Sequence, residues 1–221
     1  MEIHKKSKSA LWQALALTVV VFLFGMFLGV AYEGNKVDQV NEYYAVSEIL
    51  LMDAFAIGKL PSSLGDSSCE VLLDANKEFA DRIFMEAQIL ERYESSGKLT
   101  DTLKLTHKRY DLLRTLLWIN LMDIPSKCKN DVSVVVYLYE YDTPDLTKRA
   151  TNVVWSRVLS DLKNEVGGDI VLVPIAADSG LTSLNSLIYD MNVTSYPSLV
   201  IDNKYVISDL KSVEELKTYL K

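Results

Sequence analysis

One long apolar segment opens the chain. Ser9 to Tyr32 contain no charged residue, and Trp12 and Tyr32 lie near the two ends of this segment. A helix of this length rises about 36 Å, slightly more than the roughly 30 Å hydrocarbon core of a bilayer. The aromatic rings suit the two membrane interfaces. The pattern therefore predicts a transmembrane helix over residues 9–32.

The charges that flank this segment predict its orientation. Lys5, Lys6 and Lys8 precede it, whereas Glu33 and Asp38 follow it. Because basic residues favour the cytoplasmic side, we expect residues 1–8 to form a cytoplasmic tail. The rest of the chain is then an extracytoplasmic body anchored in the cell membrane by a single pass.

Two alternatives concern the same segment. Gly29 and Ala31 place small residues before a cut at Tyr32, as in a signal peptide, but the apolar stretch exceeds the usual core of about 7–15 residues. An uncleaved anchor is therefore favoured. Gly25 and Gly29 also form a small-xxx-small pair through which two copies could form a homodimer.

Residues 33–130 are expected to form a helical region. Apolar residues recur at three- and four-residue steps over a first helix ending near Ile57, a second over Cys69–Glu94 and a third that begins at Thr100. The turn around Gly97 between the second and third helices is short. These two helices should therefore form an antiparallel hairpin.

Charged residues of the third helix are predicted to face solvent. His107 lies among Lys104, Lys108, Arg109 and Asp111, with no second histidine or cysteine nearby. Zinc sites need three or four such ligands. We interpret His107 and Asp111 as surface residues, and we expect no metal site.

Cys69 and Cys128 are the only cysteines of the chain. They lie at the start of the second helix and just after the third, and an antiparallel hairpin brings these ends together. A disulfide across about 4.4–6.8 Å between Cα atoms is expected in an oxidising compartment. The alternative is a catalytic thiol pair, which would make the protein a thiol-disulfide oxidoreductase or isomerase. The pair lacks C-x-x-C spacing and a neighbouring histidine, which favours the structural bond.

The pattern changes from residue 131 to short apolar strands that alternate with helices. Strands are predicted at Val132–Tyr139, Ile170–Ile175, Ser198–Asp202 and Tyr205–Ile207, and helices at residues 146–165, 181–189 and 213–220. This order suits a mixed sheet with helices on both faces, in which the first two strands are parallel.

The run Val-Thr-Ser-Tyr-Pro-Ser-Leu-Val at residues 193–200 resembles the thioredoxin family's loop around a cis proline. In this chain the loop consists of Ser195, Tyr196, Pro197 and Ser198. The resemblance covers residues 131–221. It implies an α/β thioredoxin-like domain, preceded by one transmembrane helix and an α-helical hairpin region.

A second segment occupies the place of that family's Trp-Cys-Gly-Pro-Cys motif. It consists of Tyr141, Asp142, Thr143, Pro144 and Asp145. Only Pro144 matches, and aspartates replace both cysteines. Thiol-disulfide exchange needs a thiolate, which a carboxylate cannot replace. We therefore expect neither oxidoreductase activity nor a cofactor at this site, and we interpret both aspartates as caps of the following helix.

The resemblance leaves recognition as the expected function. The family's cis-proline loop pairs its backbone with an extended client, which needs no cysteine, so Tyr141, Tyr196 and Pro197 are expected to contact a protein or peptide. Asn192 begins an Asn-Val-Thr sequon beside this loop, where a glycan would obstruct the client. In a further alternative, the helical region acts as a sensor or assembly segment.

Composition limits the partners. The chain has 23 basic and 30 acidic residues and a net charge of -7. An acidic body repels a phosphate backbone, so nucleic acid is not an expected partner.

Overall fold

The first helix joins two segments that the sequence pattern separates. The computed structural model describes residues 3–58, 67–95, 101–127 and 132–221. Helix α1 runs from Ile3 to Gly58 and so includes both the apolar segment and the predicted first helix of the helical region. The junction contains Gly34 and no proline. A single glycine costs a helix only about 1 kcal/mol, which does not end it.

The chain divides into two compact units, residues 1–44 and 45–221. In the first unit, the stretch Trp12–Val30 has a mean hydropathy of 2.3 and is long and apolar enough to cross a membrane. None of this stretch is buried within the protein. A helix that is apolar on all sides and not covered by protein is typical of a membrane span.

In the second unit, α2 (Ser67–Ser95) and α3 (Asp101–Lys127) form the predicted antiparallel hairpin. Asn120 Nδ2 donates a hydrogen bond to Asn76 Oδ1 at 2.7 Å. Tyr110 is hydrogen bonded to Glu86. Later residues of α3 thus face earlier residues of α2, as antiparallel packing requires.

A four-stranded mixed sheet follows the hairpin. The elements are β1 (Ser133–Tyr139), α4 (Leu146–Val166), β2 (Ile170–Ala176), α5 (Thr182–Asp190), β3 (Ser198–Ile201), β4 (Tyr205–Ile207) and α6 (Val213–Lys217). The strand order is β2-β1-β3-β4. β1 and β2 are parallel, while β3 pairs antiparallel with β1 and β4. The predicted element order and the parallel first pair are confirmed.

Helices cover both faces of this sheet. Val135 and Tyr137 of β1 are buried with Trp155 of α4 and Leu216 of α6. The alternate side chains of β1 are also buried, so a second layer must cover the other face. α2 and α3 both contact β2, and α5 contacts α3. The hairpin is therefore part of the same folded unit as the sheet.

Candidate functional site

The loop before β3 has the conformation that the resemblance implies. The peptide bond between Tyr196 and Pro197 is cis. Ser198 Oγ donates a hydrogen bond to Ser195 O at 2.6 Å and lies 2.8 Å from Ser208 Oγ. Ser195 Oγ donates to Ser208 Oγ at 3.1 Å. Ser195 and Ser198 of the loop are thus both hydrogen bonded to Ser208, the residue that follows β4.

This loop offers backbone donors to solvent. Ser195 is exposed and Tyr196 is partly exposed, whereas Pro197 and Ser198 are buried. The N–H groups of Ser195 and Tyr196 donate no hydrogen bond to any described residue. Partial burial, and then the nearby Glu140 carboxylate, raise the pKa of Tyr196. The loop therefore lies close to the end of β1.

The turn after β1 is held by a carboxylate from the end of β2. Backbone N–H groups of Tyr141 and Asp142 each donate to Asp178 at 2.9 Å. The Asp142 side chain accepts a hydrogen bond from Lys104 Nζ of α3 at 2.7 Å. That hydrogen bond, together with the charge of Lys104, lowers the pKa of Asp142. The prediction that Asp142 caps a helix is wrong, because α4 begins four residues later.

Asp145 alone caps α4, as predicted for it. Its carboxylate accepts hydrogen bonds from the N–H groups of Thr147 at 2.8 Å and Lys148 at 3.3 Å. Thr143 is buried and Pro144 is exposed. The Asp142 carboxylate is thus hydrogen bonded to a lysine, and the Asp145 carboxylate is hydrogen bonded to the start of α4.

His107 is buried rather than on the surface, so that prediction is wrong. Its exposed fraction is 7%. His107 Nδ1 lies 2.9 Å from Asp111 Oδ2, and Nε2 lies 3.3 Å from the Tyr139 hydroxyl. The imidazole stacks on Tyr141 with 3.7 Å between ring centroids. α3 packs on the end of β1, and Tyr141 lies against that helix.

Asp111 is fully buried, which also contradicts its predicted exposure. Its Oδ1 accepts hydrogen bonds from Arg114 Nη1 at 3.1 Å and from the Ala176 N–H at 3.2 Å. Asp111 therefore connects α3 to the end of β2, while His107 connects it to the end of β1. The sequence signal was the spacing of His107, Asp111 and Arg114, which places three polar residues on one helix face.

Two positions at the outer edge of β2 offer no donor to an added strand. Pro174 has no N–H, and the Ala176 N–H, two residues later, is bound by Asp111. Residues two apart in a strand direct their N–H groups to the same side. Since Ala176 directs its N–H away from β1 towards α3, neither position offers a donor to an added strand.

Other predicted residues are placed individually. Asn192 is exposed, with a φ of 53°, just before the cis-proline loop. A Cβ atom added at Gly25 or Gly29 would meet nothing within 4 Å. Glycosylation and dimerisation stay predictions.

The predicted pairing of Cys69 with Cys128 lies outside the described residues. Among the described residues, no group of three histidine, cysteine, aspartate or glutamate side chains could hold a metal ion.

The resemblance to thioredoxins rests on the two loops and on the element order. The domain has mixed α/β content around four strands. A scan of protein-family models and a search of curated proteins found no match to this chain.

Proposed function

We propose that this protein is a membrane-anchored, extracytoplasmic binding module of thioredoxin-like type. It captures an extended segment of a protein client at the loop Ser195–Ser198, without thiol chemistry at the turn after β1. The observation that carries this proposal is the pair of available N–H groups at Ser195 and Tyr196. Extended peptides bind through such main-chain hydrogen bonds, and pockets beside them select side chains.

The position of the loop supports this mode. Strand addition at the end of β2 is disfavoured by Pro174 and by the Asp111 contact with Ala176. At the opposite edge, β4 is only 3 residues long. Among the described residues, the cis-proline loop is a place where an extended chain finds available donors beside aromatic surface.

Side chains around the loop suit a mixed polar and apolar client. Tyr196 is partly exposed, and Pro144 and Leu146 are exposed at the start of α4. Lys148 pairs with Glu140 at 2.8 Å. Tyrosine supplies a large contact area and a hydroxyl at little cost in conformational entropy, which is why it is common in binding hot spots.

The absence of sulfur decides against exchange chemistry here. The only cysteines are Cys69 and Cys128, and neither belongs to the turn after β1. The Asp142 carboxylate accepts a hydrogen bond from Lys104, and the Asp145 carboxylate caps the start of α4. A client held at this loop would be bound without being oxidised or reduced.

Anchoring and orientation follow from the N-terminal helix. Trp12–Val30 can cross a bilayer. Three lysines precede it, and acidic residues follow it. Because basic residues favour the cytoplasmic side, this charge pattern supports a location of residues 45–221 outside the cytoplasm.

Site-specific photocrosslinking of the full chain in its native membrane tests the proposal. A photoreactive phenylalanine replaces Tyr196 in one variant and Tyr189 in the control. Tyr189 is a suitable control because it is 88% exposed and lies on α5. We expect one protein to be crosslinked strongly from position 196 and weakly from position 189.

Binding of that protein to purified variants completes the test. Tyr196→Ala should weaken binding by about tenfold or more, as for a tyrosine hot spot. Tyr189→Ala should leave binding unchanged. Equal crosslinking from both positions, or equal affinities of the two alanine variants, would contradict the proposal.

A further inference from the structure

A cavity of about 410 Å³ lies at the other end of the sheet from the cis-proline loop. It is bordered by Val132 and Val134 around the start of β1, by the turn Asp202–Lys204 between β3 and β4, and by Leu73 of α2. Its volume lies within the range of about 300–1,000 Å³ that is usual for small-molecule sites.

The lining has two kinds of surface. Lys77, Lys204 and Lys221 supply amino groups, and Asp202 is the only acidic residue among the lining residues described. The apolar part comes from the aromatic and aliphatic side chains Leu73, Leu121, Val171, Tyr205, Tyr219 and Leu220. A ligand that fits both parts carries negative charge on an apolar body.

Asp202 offsets one of these three positive charges, and its carboxylate is held by hydrogen bonds beside Lys221. Oδ1 accepts a hydrogen bond from the Val134 N–H at 2.8 Å, and Oδ2 accepts one from the Ser133 hydroxyl at 3.0 Å. Lys221 Nζ lies 3.7 Å from Asp202 Oδ1 and donates a hydrogen bond to Val132 O at 3.2 Å. Neither Lys77 nor Lys204 makes an ion pair with a described residue. Lys204 Nζ lies 4.7 Å from the centre of the Tyr205 ring and is hydrogen bonded to that tyrosine, another lining residue. These two ammonium groups therefore have no described carboxylate partner.

The walls of the cavity are fixed by hydrogen bonds. The turn residues Asp202 and Asn203 have φ values of 50° and 55°, as the two central residues of a type I′ turn do, and the Lys204 N–H donates a hydrogen bond to Ile201 O at 3.0 Å. Trp118 Nε1 of α3 donates to Asn203 Oδ1 at 2.7 Å. Helix α3 thus holds the turn that carries Lys204, so the site is largely formed before a ligand enters.

We propose that this cavity binds a small organic anion with an apolar body, such as an aryl or alkyl phosphate. Lys77 and Lys204 contact the anionic group, and the tyrosines and leucines contact the apolar part. The same chemistry occurs in a soluble organophosphate and in an anionic lipid headgroup. This site is separate from the cis-proline loop, and neither proposal depends on the other.

Calorimetric titration of the full chain in nanodiscs of neutral lipid tests the site, with empty nanodiscs as the blank. Phenyl phosphate is the probe, and inorganic phosphate and benzyl alcohol each carry one half of its chemistry. Phenyl phosphate should bind at least about tenfold more tightly than either, because only it uses both surfaces. Equal affinity for phenyl phosphate and inorganic phosphate would overturn the proposal, as would absence of binding.

Two lysine variants and a matched control locate the contact. Lys77→Met and Lys204→Met keep most of the side-chain volume and remove the charge, and each should weaken phenyl phosphate binding about fivefold. Lys211→Met makes the same change in the pair with Glu215 and should have no effect. Affinities that match wild type in both cavity variants would refute the assignment.

Nanodiscs that contain phosphatidylglycerol distinguish the two sources. If the headgroup is the occupant, this lipid weakens phenyl phosphate binding by competition in wild type and not in Lys77→Met. If a soluble molecule is the occupant, the affinity for phenyl phosphate is the same in neutral and in phosphatidylglycerol nanodiscs. The general effect of membrane surface charge is measured with Lys211→Met and subtracted first. Both results support an anion site, and they assign its source.

Discussion

The substitution Asp111→Ala tests whether α3 holds the two strand ends. Asp111 is fully buried and Arg114 is only 2% exposed. The alanine would leave the Arg114 guanidinium without its described carboxylate partner and the Ala176 N–H without an acceptor. Removing one partner of a buried ion pair typically costs about 3–5 kcal/mol. We expect a loss of that size in the free energy of unfolding.

Urea unfolding of the full chain in nanodiscs measures this loss. The chain has 3 tryptophans. Trp12 lies in the apolar segment, so all variants carry Trp12→Phe, and fluorescence then reports the buried Trp118 and Trp155. Asp142→Ala is the control, because it removes an exposed ion pair with Lys104 and should change stability little.

A double variant separates the ion pair from simple loss of packing. Asp111→Ala with Arg114→Met removes both charges, so it should be more stable than Asp111→Ala alone. Asp111→Asn keeps a carbonyl acceptor and should fall between alanine and wild type. A loss below about 1 kcal/mol in Asp111→Ala, or no recovery in the double variant, would refute the reasoning.

Three further predictions concern pH, the start of α4 and the thiols. Burial raises the pKa of Tyr110 and of Tyr137 above the ordinary value of 10.0, with the Glu86 carboxylate adding to the rise for Tyr110. The folded chain then keeps protons that the unfolded chain loses. These two tyrosines therefore leave the free energy of unfolding unchanged below about pH 10 and lower it above that pH. In thermal unfolding, Tyr137→Phe should reduce the fall in Tm between about pH 10 and 11.5, and an unchanged slope would contradict this. Asp145→Ala should cost about 1 kcal/mol and Asp145→Asn less; urea unfolding that gives the reverse order would show that capping is not the cause. The full chain should not reduce insulin with dithiothreitol as reductant above the uncatalysed rate; catalysis by the wild-type chain that is lost in a Cys69→Ser, Cys128→Ser variant would contradict a binding role without thiol chemistry. Alkylation of the native chain reports on the predicted disulfide, since two blocked thiols support it and two labelled thiols favour the oxidoreductase alternative.

Local pattern was sufficient for the sheet and its helices. Apolar runs with turn residues such as Gly167 and Pro197 between them predicted strands and helices whose ends in the structure differ by a few residues at most. Such patterns encode burial along one element. Gly167 also has a positive φ angle, which explains why α4 ends there.

Long-range contacts explain what the sequence did not predict. His107 and Asp111 look solvated beside Lys108 and Arg109, because nothing local shows that one face of α3 meets the ends of β1 and β2. Asp142 looks like a cap until its partner is known, and that partner, Lys104, lies 38 positions away in the chain. Polar residues at contacts between elements are paired by the tertiary fold, and hydrophobic spacing carries no information about their partners.

The two proposed sites share strands without sharing residues. β1 begins beside the anion cavity and ends beside the cis-proline loop, and β3 runs between the same two places in the opposite direction. At about 3.3 Å per residue, seven residues of β1 separate the sites by roughly 20 Å. Both strands are buried almost throughout, and α3 is bonded to structure at each end, through His107 and through Trp118. A rigid connection of this kind transmits a change only if it has a second stable arrangement. Because buried strands and a bonded helix connect the two sites, we expect occupancy of the cavity to leave the affinity of the cis-proline loop unchanged.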